Sequence, residues 1–218
     1  MMKTIIFDMD GVLFDTEKIY DEAWKIVLSE KGIENIDYII SGCRGLNADD
    51  SERFLDKTLK GNFSGKDCLR DLIYKFNEII GERGIPIKPG VHELLSYLKK
   101  ENYEIGLASS TRKSMVISHL KDAGILNYFD EIIAGDMVVK GKPDPEIYLT
   151  SCSKFNKAPN ECIAIEDSVN GVTAALRAGM NAIMVPDIVQ PDKELEKKLF
   201  RKFDSLLDVK EFLQEYKL

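Results

Sequence analysis

The sequence predicts an α/β fold: a doubly wound parallel (Rossmann-like) sheet core with an α-helical cap inserted after the first strand. Short apolar runs of β-branched and aromatic residues alternate with segments of helical period, the pattern of parallel strands joined by right-handed crossovers. The block from about 16 to 86 interrupts that alternation, since it reads as helical throughout. Polar and acidic residues stand at the C-terminal ends of the predicted strands, where an open parallel sheet forms its ligand crevice.

The elements follow in order. Thr4-Ile5-Ile6-Phe7 is a buried parallel strand that stops abruptly at Asp8 and Gly11. From Thr16, apolar residues at Ile19, Ala23, Trp24, Val27 and Leu28 mark a helix, with Gly32 as its stop. After Pro86, Pro89 and Gly90, a helix carrying Val91, Leu94, Leu95 and Leu98 precedes a strand from Glu104 to Ala108. A helix over about 112–123 ends at Gly124, and a strand over 131–134 follows. A helix over about 144–155 leads to a strand from Cys162 to Ile165. Next come a helix from Ser168 to Ala178, stopped by Gly179, and a strand from Asn181 to Val185. The tail from Asp187 to Leu218 reads as charged and helical. The expected division is a core of 1–15 and 87–218 and a helical cap of 16–86.

Composition narrows the function. The 218 residues carry 37 acids against 30 bases, a net charge of −7, with no basic stripe, which argues against nucleic acid as a partner. No apolar run approaches the ~18 residues of a membrane span, and the N-terminal apolar stretch is too short for a signal peptide. Cys43, Cys68, Cys152 and Cys162 are scattered without C-x-x-C or zinc-finger spacing, so reduced thiols in a cytoplasmic protein are expected. The glycosylation-type triplet Asn62-Phe63-Ser64 has no meaning without secretion. Nothing in the sequence sets the oligomeric state, and a monomer is compatible with it.

Four predicted strand ends carry the chemistry. The first gives Asp8-Met9-Asp10-Gly11, the second Ser109-Ser110-Thr111, the third leads into Lys140-Gly141-Lys142-Pro143, and the fourth gives Glu166-Asp167-Ser168. Taken singly, such residues usually cap turns and helices or lie in solvent. A parallel sheet brings all four to one edge. Crowded carboxylates must hold protons or share a cation, and hard oxygen donors suit Mg²⁺. With the ion and Lys142 neutralising a phosphate monoester, and Ser109 holding its oxygens, Asp8 can attack as a covalent nucleophile while Asp10 moves the proton. Thr111, Arg112 and Lys113 open a helix and are further candidates to bind an anion.

These motifs resemble those of the haloacid dehalogenase superfamily, in its β-phosphoglucomutase-like and sugar-phosphatase subgroup. Asp8 through Thr16 is similar to its first motif, and Leu107-Ala108-Ser109-Ser110 to its second. Gly141-Lys142-Pro143-Asp144-Pro145 resembles the third, and Ile165 through Gly171 the fourth. The resemblance implies Asp8 as nucleophile, Asp10 as acid and base, and Ser109 and Lys142 as phosphate holders; Ser110, Thr111, Arg112 and Thr16 are neighbouring candidates for the substrate site. It implies Mg²⁺ held by Asp8, the Asp10 backbone carbonyl and Asp167, with Glu166 in or near that shell. It also implies a cap that closes over the substrate.

Two departures weigh against a mutase. Tyr20 stands where β-phosphoglucomutases carry a His, and Ala48, within Arg44-Gly45-Leu46-Asn47-Ala48, stands where they carry an Arg. Arg44 is the candidate replacement for that Arg. The expected function is therefore a phosphatase of a small phosphorylated metabolite, a sugar or polyol phosphate. A phosphosugar mutase is the alternative, and a catalytically inactive phosphate-binding module the lesser one. Trp24, with Tyr20 on the same helix, is a candidate for the cap's substrate face; packing in the cap's own core is the alternative reading. His92 and His119 have no ligand-spaced partners and read as structural, and Pro143 rules out a P-loop at Gly135 to Lys142. A phosphorelay receiver would lack the helical insert.

Overall fold

In the computed structural model, residues 2–44, 46, 48–59 and 63–216 are described. Gly45 and Asn47 of the cap loop, Asn62 of the glycosylation triplet and the last residues of the tail lie outside them. The chain divides into two compact units, one of residues 1–15 and 86–218 and the other of residues 16–85.

The first unit is built on a parallel six-stranded sheet. Its strands are β1 (Thr4–Phe7), β2 (Glu104–Ala108), β3 (Glu131–Ile133), β4 (Cys162–Glu166), β5 (Asn181–Met184) and β6 (Arg201–Lys202), in the spatial order β3-β2-β1-β4-β5-β6. Each neighbouring pair is parallel. This is the doubly wound order in which the chain reverses direction between β1 and β4, and ligands bind beyond the strand C-termini at that reversal. All four residues of β1 and all five of β4 are buried, as continuous apolar runs in a sheet covered on both faces should be.

The ladder continues past the strands into the polar loops. The Asp8 N–H donates to the Ile165 carbonyl at 2.9 Å, and the Ser109 N–H to the Ile133 carbonyl at 3.0 Å. The β1–β4 register pairs Phe7 with Ile165, so Asp8 and Glu166 stand level on adjacent strands. Inside the sheet, Ile6, Ala108, Ile133, Ala164 and Ala182 pack against Ile147, Tyr148, Val172 and Ala175. Those partners lie on α7 (Glu146–Lys154) and α8 (Val169–Ala178). The Ser168 hydroxyl caps α8 by accepting from the Gly171 N–H at 3.0 Å, and left-handed Gly179 ends it.

The second unit holds α1 (Glu17–Glu30), α2 (Ile36–Cys43), α3 (Ala48–Leu59) and α4 (Gly65–Arg83). Its interior collects Ile19, Ala23, Trp24, Leu28, Ile39, Leu55, Leu72 and Phe76. The apolar positions expected on the first helix, Ile19, Ala23, Trp24, Val27 and Leu28, are all buried.

Several boundaries differ from the sequence expectation. The tail is not wholly helical: between α9 (Lys193–Glu196) and α10 (Leu206–Tyr216) it adds β6, which pairs Arg201 with Ile183 and Lys202 with Met184. Both β6 residues are charged and exposed, so neither apolar alternation nor burial marks the strand in the sequence. β4 runs one residue further, to Glu166. The helix after the third strand begins at Glu146, because Asp144 and Pro145 form the turn that starts it. Among the described residues, no helix is long and apolar enough to cross a membrane. The four cysteines are free and buried.

Candidate active site

The sheet edge gathers four of the expected loops around one buried lysine. Lys142 Nζ donates to Asp8 Oδ1 at 2.5 Å, to Glu166 Oε1 at 2.6 Å and to the Ala108 carbonyl at 2.9 Å. An ammonium has three hydrogens, and all three go to the protein. Lys142 thus ties the ends of β1, β2 and β4 together, at the position where the resemblance implies a phosphate holder. Burial alone would lower the Lys142 pKa, but Asp8 and Glu166 outweigh it and hold the ammonium above the ordinary lysine range.

Asp8 responds in the opposite sense. Burial pushes its carboxyl up to about 8; Lys142 pulls it down, while Glu166 and Asp10 add repulsion. Lys142 alone does not offset the loss of water around these acids.

Glu166 is buried and held at both oxygens. Oε1 also accepts from the Tyr148 hydroxyl at 2.7 Å, and Oε2 accepts from the Ser168 hydroxyl at 3.2 Å. Burial first, and then Glu166 and Asp8, raise the Tyr148 phenol, so it stays a donor. The Lys142 ammonium also lies 5.0 Å over the Tyr148 ring. Sequence reasoning missed Tyr148, whose only signal was a place on the apolar face of α7.

Short polar bonds shape the remaining loops. The Ser109 hydroxyl is buried and accepts from the Thr111 N–H at 3.1 Å. The Thr111 hydroxyl donates to Asp10 Oδ2 at 2.9 Å, which makes it a holder of the second aspartate. Glu146 accepts the Val139 and Lys140 N–H groups at 2.8 and 2.9 Å and closes the loop that presents Lys142. Gly11 has φ +81°, and a Cβ there would run into the Asp167 carboxylate. A Cβ at Gly171 would collide with the Glu166 carboxylate in the same way.

With this geometry in hand, the kinship is clear. The pattern of haloacid dehalogenase-like hydrolases matches residues 5–185. The chain belongs to that family. It is 34% identical over 190 residues to the phosphorylated carbohydrates phosphatase of Thermotoga maritima, covering 84% of each chain. It is 33% identical over 195 residues to the β-phosphoglucomutase of Bacillus subtilis, covering 84% of this chain and 83% of that one. The crystal structure of β-phosphoglucomutase from Clostridium difficile superposes with a TM-score of 0.78 at 30% identity, covering 99% of this chain and 96% of that one.

The donor set of this haloacid dehalogenase-like hydrolase suits a hard divalent ion. Asp8, Glu166 and Asp167 each offer a carboxylate oxygen, and these lie within 4.8 Å of one another. Burial, with repulsion from Glu166 and Asp10, outweighs Lys142 and raises the Asp8 carboxyl to about 8, and a bound cation would counter that rise. Glu166 already accepts at both oxygens, from Lys142 and Tyr148 at Oε1 and from Ser168 at Oε2.

Ser110 and Arg112 are exposed, and α6 (Lys113–Asp122) begins with its Lys113 N–H donating to Asp136 Oδ1 at 2.9 Å. A carboxylate thus already covers the helix start that was read as an anion site. Trp24 is 5% exposed in the interior of the helical unit, in keeping with the packing alternative. Tyr20 stacks on Phe76 at 4.1 Å between centroids. Thr16 precedes α1 as a buried residue whose side chain does not cap the helix. His119 is buried edge-on to Phe14 with its pKa lowered by burial, and His92 is exposed, in keeping with structural roles.

Two substitutions test the seat of Glu166. Gly171→Ala should lower stability by roughly 1–3 kcal/mol, because the added methyl has no space beside the carboxylate. Tyr148→Phe should lower it by about 1–2 kcal/mol, since Lys142 still satisfies Oε1. Urea unfolding followed by circular dichroism measures both, and an unchanged midpoint in Gly171→Ala would show that the seat is loose.

Proposed function

We propose that this hydrolase is a Mg²⁺-dependent phosphatase of a small phosphorylated metabolite, a sugar or polyol phosphate, acting through an aspartyl-phosphate on Asp8. The observation that carries this reading is the Lys142 bridge, which ties up Asp8 Oδ1 and leaves Oδ2 as the attacking oxygen. The likeness to a phosphorylated carbohydrates phosphatase supports the substrate class.

In this mechanism the Asp8 carboxylate attacks phosphorus, and the ester oxygen leaves with a proton from Asp10. Asp10, held by Thr111, then takes a proton from water as that water attacks the aspartyl-phosphate. Inorganic phosphate departs and the Asp8 carboxylate is restored. Mg²⁺ would be held by Asp8, the Asp10 backbone carbonyl and Asp167, with Glu166 beside them, and would supply charge neutralisation for the phosphoryl oxygens. Ser109 would hold a phosphoryl oxygen through its hydroxyl hydrogen, since its lone pair already serves Thr111. Residues 16–85 would supply the specificity of a cap.

Arg44 favours hydrolysis over mutase chemistry. A mutase must grip a second phosphate, and Arg44 was the candidate replacement for the missing cap Arg. Its guanidinium instead pairs with Asp21 Oδ2 at 2.5 Å within the helical unit, so its charge is already matched. Tyr20 is likewise committed to its stack on Phe76.

Asp8→Asn should reduce turnover by at least about a thousand-fold with the fold intact by circular dichroism; substantial residual phosphate release would remove Asp8 as nucleophile. Dialysis against EDTA should abolish activity and added Mg²⁺ should restore it, and an undiminished rate in EDTA would refute the metal requirement. A panel of hexose, pentose and polyol phosphates should give free phosphate. If glucose 1-phosphate with a bisphosphate primer gave glucose 6-phosphate and no phosphate release, the enzyme would be a mutase.

A further inference from the structure

The turn that carries Asp10 is bonded twice to a residue that no motif includes. Gly11 has no side chain, so it takes its positive φ without steric cost, and the same freedom leaves the turn dependent on neighbours for rigidity. The turn closes on itself through Gly11 N–H to the Phe14 carbonyl at 2.9 Å and Leu13 N–H to the Met9 carbonyl at 2.9 Å. Lys88 lies beside it, next to the bridge between Phe14 and Ile87. The Lys88 backbone N–H donates to the Leu13 carbonyl at 2.9 Å, and its Nζ donates to the Gly11 carbonyl at 2.9 Å.

The ammonium is fixed from the other side by Asp187. Asp187 Oδ1 lies 2.7 Å from Lys88 Nζ, and both side chains are about one-fifth exposed, at 20% and 18%. Asp187 comes just after β5, so it descends from the same sheet edge as Glu166. Its other oxygen, Oδ2, is buried and has no hydrogen-bond partner among the described residues. A carboxylate accepts one oxygen unpaired only where the other is strongly held, and Lys88 is what holds it.

We infer that Lys88 and Asp187 are positioning residues: a lysine–carboxylate strut that fixes the Gly11 peptide, and through it the placement of Asp10 and of the Asp167 carboxylate packed on Gly11. Its catalytic effect rests on the phosphatase reading above. Its effect on the turn does not. Asp10 must meet a leaving oxygen within hydrogen-bond reach, and its own bond to Thr111 fixes only the carboxylate end. The strut fixes the backbone end. Because the pair touches the peptide and not the substrate, its loss should slow the chemical step and leave ground-state binding alone.

The test uses Lys88→Met, Asp187→Asn and the double variant in the full chain, with two readouts. Hydrogen–deuterium exchange of the segment 9–14 should quicken by about ten-fold or more in Lys88→Met. With whichever monoester the panel finds active, kcat should fall roughly ten- to hundred-fold while KM stays within about two-fold. Asp187→Asn should move both readouts the same way but less. The double variant should be no worse than Lys88→Met, because Asp187 acts through Lys88. Unchanged exchange at 9–14, a loss carried by KM, or additive losses in the double variant would each overturn the strut. If Lys88→Met does not fold, the milder Asp187→Asn decides on the same two readouts. If the wild-type protein turns over no monoester, the phosphatase reading falls, and the exchange measurement alone still judges the strut.

Discussion

The site depends on one buried ammonium shared by two carboxylates. Lys142 stands between Asp8 at the end of β1 and Glu166 at the end of β4, which the parallel register brings level. Taking three charged groups out of water is unfavourable, and attraction between them offsets the loss only where the geometry is tight and the remaining lone pairs are filled. That condition explains the surroundings. Tyr148 and Ser168 fill the lone pairs of Glu166, and the Ala108 carbonyl takes the last hydrogen of Lys142. What is left unfilled is on the Asp8 side. There the burial penalty shows as a carboxyl raised to about 8, the electrostatic condition a further cation would relieve.

Once that bridge is fixed, the glycines and loop acids around it follow from space and hydrogen bonding. Gly11 and Gly171 are bare because the carboxylates of Asp167 and Glu166 occupy the volume a methyl would need. The loops beyond β2 and β3 are joined by backbone bonds from Ser109 to Ile133 and from Gly135 to Thr111. Side chains add to these: Glu146 gathers the Val139 and Lys140 amides, Asp136 takes the Lys113 amide and Thr111 reaches Asp10. Each such bond satisfies a backbone or carboxylate group that would otherwise lose water without replacement. The polar residues of these loops thus have a structural purpose before any substrate arrives.

This is also why the sequence revealed some of the site and hid the rest. The strands were legible because a doubly covered parallel sheet demands unbroken apolar runs, as in Thr4–Phe7 and Cys162–Ile165. Asp8, Lys142 and Glu166 were legible because charged residues at the ends of such runs have no place in the core. β6 was hidden because its two residues, Arg201 and Lys202, are exposed and pair only through their backbone. Tyr148 was hidden because an aromatic on a helix's apolar face looks the same whether its hydroxyl faces solvent or a buried Glu. Lys88 and Asp187 are 99 residues apart in sequence, and nothing local marks either as a partner of Gly11. Trp24 was ambiguous for the converse reason: an indole suits a binding wall and a core equally, and only its burial decides.

The choice between hydrolysis and phosphoryl shuttling turns on charge more than on the shared aspartates. In the proposed mechanism both chemistries would use Asp8 and Asp10, so the core cannot distinguish them. A shuttling enzyme must also hold a bisphosphate in two orientations, which calls for positive charge outside the core that is not already matched. In the helical unit the candidate cation, Arg44, is paired with Asp21, and Lys31 with Asp71. Releasing Arg44 to bind a phosphate would strip Asp21 of its partner at the moment a second anion arrived, so the gain from the new contact would be set against the loss of the old one. A monoester whose phosphate sits at Asp8, and whose remainder is a neutral polyol, needs no such exchange.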